Sequence, residues 1–360
     1  MKPFRTQLTE LLKIDVPIML AGMAGVSGPE LVASVSNAGG IGTIGAIGLS
    51  PEDLRQAVRQ TRKLTSKPIG VDLLLPKIGG SARKTNKDYT GGQLGALVDV
   101  MVEERVELFV CAVGVPPRWV VDKLHANGSV VMNIIGSPKH VSGCIKAGVD
   151  IVCAQGTEAG AHTGAVSTMV LIPQVADALR GSGILLVGAG GIYDGRGVAA
   201  AFSLGCDGVW LGSRFIMTPE ANVHPGYQQT IIKSRSDDTI QSEIYTGRPM
   251  RHILNDYSNE WEFERQEEKR KLLKQGIIPF YMDVKNKRFG KKSPPSAVPS
   301  GAFKDMRSVK KWNASGVAAV AVGQSCGALN IIMPAKDVVE EIMADMLSTI
   351  RGFSKRFSSL

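Results

Sequence analysis

The chain has 360 residues, 44% hydrophobic and 21% charged, the balance of a folded globular protein, which excludes a disordered chain. No run of 18 apolar residues occurs and the first residues lack a signal-peptide core, so neither a membrane span nor secretion is expected. Residues 262–311 hold 14 basic and 6 acidic side chains, a net +8 of the chain's +9, which reads as a local collar for small anions rather than a nucleic-acid groove.

From residue 17 to about 215 the chain alternates short apolar runs with amphipathic stretches. The runs are 17–21, 41–47, 69–75, 108–113, 130–135, 151–154, 184–187 and 209–211. They are continuously apolar, as expected for parallel strands buried on both faces. The stretches between them, such as 51–64, 117–126, 138–147 and 194–204, predict helices, and several open with Pro, which suits a first helical turn. Two helix exits share one grammar: Ala147-Gly148-Val149-Asp150 and Leu204-Gly205-Cys206-Asp207 each place a Gly stop and then an Asp before the next strand. Eight such units predict a (β/α)8 barrel, with a doubly wound sheet as the other arrangement open to this pattern.

Two segments break the rhythm. Residues 76–92 form a Gly- and Lys-rich loop after the third run. Residues 219–315 are charged, bear aromatics and are Pro-rich near 293–300. The expected division is a barrel at 1–220, a lid or substrate domain at 221–315 placed after strand eight, and a return segment at 316–360 whose helix completes the outer ring. Barrel sites form at the C-terminal strand ends, where both interruptions fall.

The seventh run ends Val187-Gly188-Ala189-Gly190-Gly191 and the eighth ends Trp210-Leu211-Gly212-Ser213. Paired turns of this kind let backbone N–H groups converge on a phosphate, and Ser213 adds a hydroxyl. Gly40-Ile41-Gly42-Thr43-Ile44-Gly45 fits GxGxxG, but a helix precedes it and a strand runs through it, so it is not a dinucleotide turn. The loop after the sixth run gathers Gln155, Glu158 and His162 among small residues, and His is the usual proton-transfer side chain near neutrality. His125 and His140 sit in helical stretches and read as structural, while pattern does not discriminate His224 and His252. No serine-nucleophile elbow, Walker loop, HExxH or zinc spacing occurs, and no metal is expected. Five scattered cysteines read as reduced thiols and a cytoplasmic location, with the final Ser-Ser-Leu a degenerate form of a peroxisomal address. Together these features point to a phosphorylated planar cofactor.

The opening Pro17-Ile18-Met19-Leu20-Ala21-Gly22-Met23-Ala24-Gly25, with 35–42, 155–164, 188–195, 212–215, Thr246-Gly247-Arg248-Pro249 and Gly323-Gln324-Ser325, resembles the nitronate monooxygenase family. The resemblance implies a (β/α)8 barrel, non-covalent FMN and a smaller second domain. It puts the FMN phosphate against Gly190 and Gly191 and along Trp210, Leu211, Gly212 and Ser213. It sets Gln155, Gly160 and Ala161 beside the flavin ring and Ala21, Gly22 and Met23 beneath it. Gln324 would close the site, and His162 takes the family's catalytic position. The implied reaction is oxidation of a nitronate anion by O2 to a carbonyl compound and nitrite. An NAD(P)H-dependent FMN reductase, of the enoyl-acyl-carrier-protein or quinone type, is the alternative on the same scaffold. The expected partners are a small anionic substrate and O2, with no nucleic acid and no membrane, and a homodimer is left open. The resemblance also makes Asp72 a flavin contact, and three positions depart from the family pattern: Asp72 stands for Asn, Ala161 for Gly and Thr163 for Arg.

Overall fold

The computed structural model describes residues 3–75, 83–289, 305–307 and 316–357. The Pro-rich stretch near 293–300, the loop residues 76–82 and the final Ser-Ser-Leu lie outside them. All eight apolar runs form strands: β1 (Ile18–Leu20), β2 (Gly42–Gly45), β3 (Ile69–Leu74), β4 (Leu108–Ala112), β5 (Val130–Ile135), β6 (Ile151–Gln155), then, after a two-residue strand β7 (Ala161–His162), β8 (Leu185–Ala189) and β9 (Gly208–Leu211). Eight of them pair in parallel in the order β1-β9-β8-β6-β5-β4-β3-β2. The ring closes between β1 and the residue before β2, where Leu20 N donates to Ile41 O at 2.9 Å and Ile41 N to Ile18 O at 3.1 Å. The architecture is therefore the (β/α)8 barrel, not the doubly wound sheet.

Continuous apolarity has its cause in two cores. Along β4, Leu108 and Val110 join Met19, Met132, Ile151, Val187 and Trp210 in the barrel interior, while Phe109 and Cys111 pack outward against the helices. Both faces of each strand are buried, so neither alternate position tolerates a polar residue without a reason.

The repeated Gly-then-Asp exit has a structural role. Gly148 and Gly205 take φ of 79° and 104°, a left-handed bend that glycine adopts without Cβ strain. The following acids then bind the neighbouring strand: Asp150 Oδ2 accepts from Val131 N at 2.7 Å and Asp207 Oδ2 from Leu186 N at 3.0 Å. Glu107 does the same for Ile69 N at 2.9 Å. Each carboxylate satisfies an N–H at the bottom of a barrel strand, and so sets register.

After β9 the chain leaves the barrel. β10 (Thr239–Ser242) and β11 (Met250–Ile253) pair antiparallel, and β11 also pairs with β7, so this second sheet begins on a loop of the barrel. It covers its own cluster, which includes Tyr245, Tyr257, Trp261 and Phe280. Among the described residues of the insertion no strand enters the barrel. The chain returns in the helix Ala335–Phe357, which packs against the helices Gly195–Ser203 and Pro29–Asn37. A Cβ on Gly195 would lie 2.1 Å from Met346 N, so this helix pair approaches as closely as only glycine allows. No helix among the described residues is long and apolar enough to cross a membrane.

Candidate active site

A cavity of about 1440 Å³ opens at the C-terminal ends of the barrel strands and runs under the insertion. Every sequence-derived site residue lines it except Leu211, which is buried in the outer core, and Gln324, whose neighbours Gly323 and Ser325 line it instead. The backbone of Gln324 ties the returning segment to the barrel loop by donating to Glu158 O at 2.9 Å. Its place is thus a strap across the site wall.

The turn after β8 carries φ of 98° at Gly190 and 70° at Gly191. The N–H groups of Gly191 and Ile192 donate to no acceptor among the described residues. Across from them, Ser213 Oγ accepts from Gly323 N at 2.9 Å, which leaves the hydroxyl proton to be donated elsewhere. Unused donors on two adjoining turns are what an anion cradle would require. Beneath the cavity, a Cβ on Gly22 would sit 2.3 Å from Asp72 Cβ, so the floor is kept flat by necessity.

His162 lies on β7, outside the barrel ring. The register Met250↔His162 hands its placement to the insertion. Its Nε2 is 3.1 Å from Thr246 Oγ1, and that hydroxyl donates to Arg248 O at 3.2 Å. Thr246 has then spent its proton, so it accepts from Nε2–H, and Nδ1 is the bare nitrogen. Burial, and next the Arg248 charge, pull the imidazole down to about 4, so it is neutral at physiological pH. Gln155 Nε2 donates to His162 O at 2.6 Å and fixes the loop from the barrel side.

The cavity wall is cationic. Asp72 is its one carboxyl group among the described residues, against Arg83, Lys139 and Arg248. Arg83 is paired with Glu243. Arg248 Nε donates to Asn86 Oδ1 at 2.9 Å, and its guanidinium makes no ion pair with any described carboxylate. Pro249 O accepts from Thr163 N at 3.3 Å, which sets Arg248 beside the position where the family pattern has a cation.

The other histidines separate by place. His125 Nε2 meets Asp150 Oδ2 at 2.8 Å, a structural pair. His140, read from the sequence as structural, is in a short turn at the cavity mouth. His224 caps a helix, its Nδ1 accepting from Gly226 N at 2.9 Å. His252 is fully buried on β11, and its Nε2 has no partner. Sequence reasoning also missed Arg248 as a site residue and Val113, whose φ of 66° is strained for a β-branched side chain. Val113 lines the cavity, and no pattern in the sequence marks it.

The nitronate monooxygenase family profile matches residues 5–345. A probable nitronate monooxygenase of Staphylococcus saprophyticus is 35% identical over 70% of this chain and 79% of its own. A Rhodococcus jostii protein named (3aS,4S,5R,7aS)-5-hydroxy-7a-methyl-1-oxo-octahydro-1H-indene-4-carboxyl-CoA dehydrogenase is 36% identical over 73% of this chain and 69% of its own. Among solved structures, FabK from Thermotoga maritima is similar with a TM-score of 0.77 at 30% identity, covering 98% of this chain and 100% of that one. The nitroalkane oxidase of Streptomyces ansochromogenes shares the fold, with a TM-score of 0.76 at 24% identity over 96% of this chain and 99% of its own. With a profile that spans nearly the whole chain and relatives matched over most of their length, this oxidoreductase belongs to the nitronate monooxygenase family.

Proposed function

We propose that the cavity binds FMN and that the protein oxidises alkyl nitronates with O2 to carbonyl compounds and nitrite. The observation that carries this reading is the meeting of a neutral imidazole, His162, and a guanidinium with no carboxylate partner among the described residues, Arg248, beside the close-packed Gly22. The residues fit FMN. Gly191, Ile192 and Ser213 offer free donors for one terminal phosphate, and no dinucleotide turn is present for a second. Bound flavin would supply the redox chemistry, taking electrons from the substrate and passing them to O2.

The chain's own part is recognition and proton control. Arg248 would hold the charged oxygens of the nitronate, and its fork geometry suits a planar dioxygen group. His162 would orient the anion through Nδ1, or accept the α-proton of a neutral nitroalkane at that atom. An anion drawn in beside the imidazole raises its proton affinity, which offsets part of the depression by Arg248. The test is the absorption spectrum of the purified protein, release of its cofactor, and anaerobic addition of a nitronate. Bleaching of a bound FMN chromophore is expected; a colourless protein that takes up no FMN overturns the reading.

A second reading is an NAD(P)H-dependent FMN reductase acting on a larger anionic substrate. The cavity has room for it, about 1440 Å³ against the roughly 300–1,000 Å³ of a site for one small ligand. The relative named as a carboxyl-CoA dehydrogenase points the same way. Anaerobic consumption of NADH without a nitronate would select it.

A further inference from the structure

Asp72 is the one acid in the cavity wall among the described residues, and its surroundings are wrong for a carboxylate. It lies near the C-terminal end of β3, flanked in register by Gly45 on β2 and Val110 on β4. Val71 and Leu73 face the outer core, so the alternate position puts Asp72 inside the barrel. It is 4% exposed, and its carboxyl makes no hydrogen bond; Oδ1 is fully buried without a partner. The buried thiol of Cys153 on β6 shares the barrel interior with it, while Cys111 on β4 packs on the outer face nearby, and both thiols are held neutral by burial. Gly22 packs close against it: a Cβ there would lie 2.3 Å from Asp72 Cβ and 2.6 Å from Oδ2.

A buried carboxylate without a cation or donor is far costlier than a neutral acid. A neutral carboxyl offers one donor and one acceptor side by side. That is the complement of an N–H and a C=O that adjoin on the flavin ring, whereas a carboxylate would pair with the N–H but set an acceptor against the carbonyl. We propose that Asp72 is held as the neutral acid and recognises the flavin as a paired donor and acceptor. The protonation half stands on the geometry of this chain; the recognition half rests on the flavin reading above. Desolvation pushes the carboxyl well above its ordinary range, in the direction the geometry requires.

The sign of the linkage gives a test that needs no activity. A group whose folded pKa is raised destabilises the fold increasingly as pH climbs above its unfolded value of about 4. Flavin-free wild type and Asp72→Asn are melted at pH 4.5 and pH 8. The variant is expected to gain on wild type as pH rises, because it has no proton to lose. A gap that stays constant, or shrinks, overturns the protonation. Infrared difference spectra between the two proteins should show a protonated carboxyl band that moves when FMN is added. FMN titrations complete the set: Asp72→Asn should bind within about threefold of wild type and Asp72→Leu at least tenfold more weakly. Equal binding by all three overturns the recognition. Failure of wild type itself to bind FMN would overturn the recognition with the flavin reading, while the melting experiment would still decide the state of Asp72.

Discussion

Thr246 Oγ1 stands 3.1 Å from Nε2 of His162 and donates its own proton to Arg248 O, so the insertion sets the imidazole's tautomer. Thr246→Val removes the acceptor and frees the ring to turn. A net hydrogen bond of roughly 1 kcal/mol corresponds to about a fivefold to tenfold change. The expected outcome is a fall of that size in kcat/KM for nitroalkanes with flavin content unchanged, and recovery in Thr246→Ser. A loss that Ser does not restore would assign the effect to packing.

With His162 near 4, its titration lies below the working range. The kcat/KM for a neutral nitroalkane should show no inflection between pH 6 and 8 that disappears in His162→Asn. The same variant should lose nitroalkane oxidation more than nitronate oxidation, since a nitronate has already lost its proton. Steady-state rates for one compound in both forms check this, and equal losses would leave the imidazole with orientation alone.

Arg248→Met keeps the length of the side chain and removes its charge. Loss of a charge-assisted contact of about 1.5–3 kcal/mol predicts a KM for a nitronate raised at least tenfold. Removal of the neighbouring positive charge should also raise the pKa of His162, because Arg248 depresses it. NMR titration of that imidazole in wild type and variant measures the shift directly.

Ala161 carries φ of 57°, a left-handed conformation that costs a residue with a Cβ about 1 kcal/mol. The family's glycine would adopt it freely. Ala161→Gly should therefore stabilise the protein by up to about 1 kcal/mol, less whatever glycine gains in the unfolded chain. Denaturant melts of the two proteins decide it.

His252 is buried with Nε2 unpartnered, and its ring meets that of Tyr245 edge-on at 5.1 Å. Desolvation lowers it to about 4. A depressed histidine favours the neutral form in the fold, so stability is lost as pH falls from about 6.5 toward 4. His252→Phe removes both the orphan and the titration. Its Tm should drop less than that of wild type between pH 7 and 5.

The barrel was legible because each strand is buried on both faces, which writes itself as continuous apolar runs. The glycine turn after β8 was legible as a candidate anion site because Gly190 and Gly191 need backbone angles that few other residues take. The second sheet was not. β7 has two residues, and strands β10 and β11 of four residues include Gln241 and Arg251, so no periodicity can develop. Arg248 was read within a family motif but not as a site residue, for a different reason. Nothing local distinguishes a guanidinium with a carboxylate partner from one without, since Arg83 and Arg248 differ only in what the fold brings to them.

The ring of this barrel is joined by residues far apart along the chain, and that bears on its synthesis. β1 ends at Leu20 and must wait for β9 at residues 208–211, while the groove between the helices Pro29–Asn37 and Gly195–Ser203 stays open until residue 335 and beyond has been made. Chains are elongated at about 5–20 residues per second, and non-local pairings fold late. For several seconds the nascent polypeptide holds an unclosed parallel sheet with a bare apolar flank. A stop codon or ribosomal stall shortly before residue 335 would release a species with every barrel strand present and its last helix missing, a natural client for a chaperone.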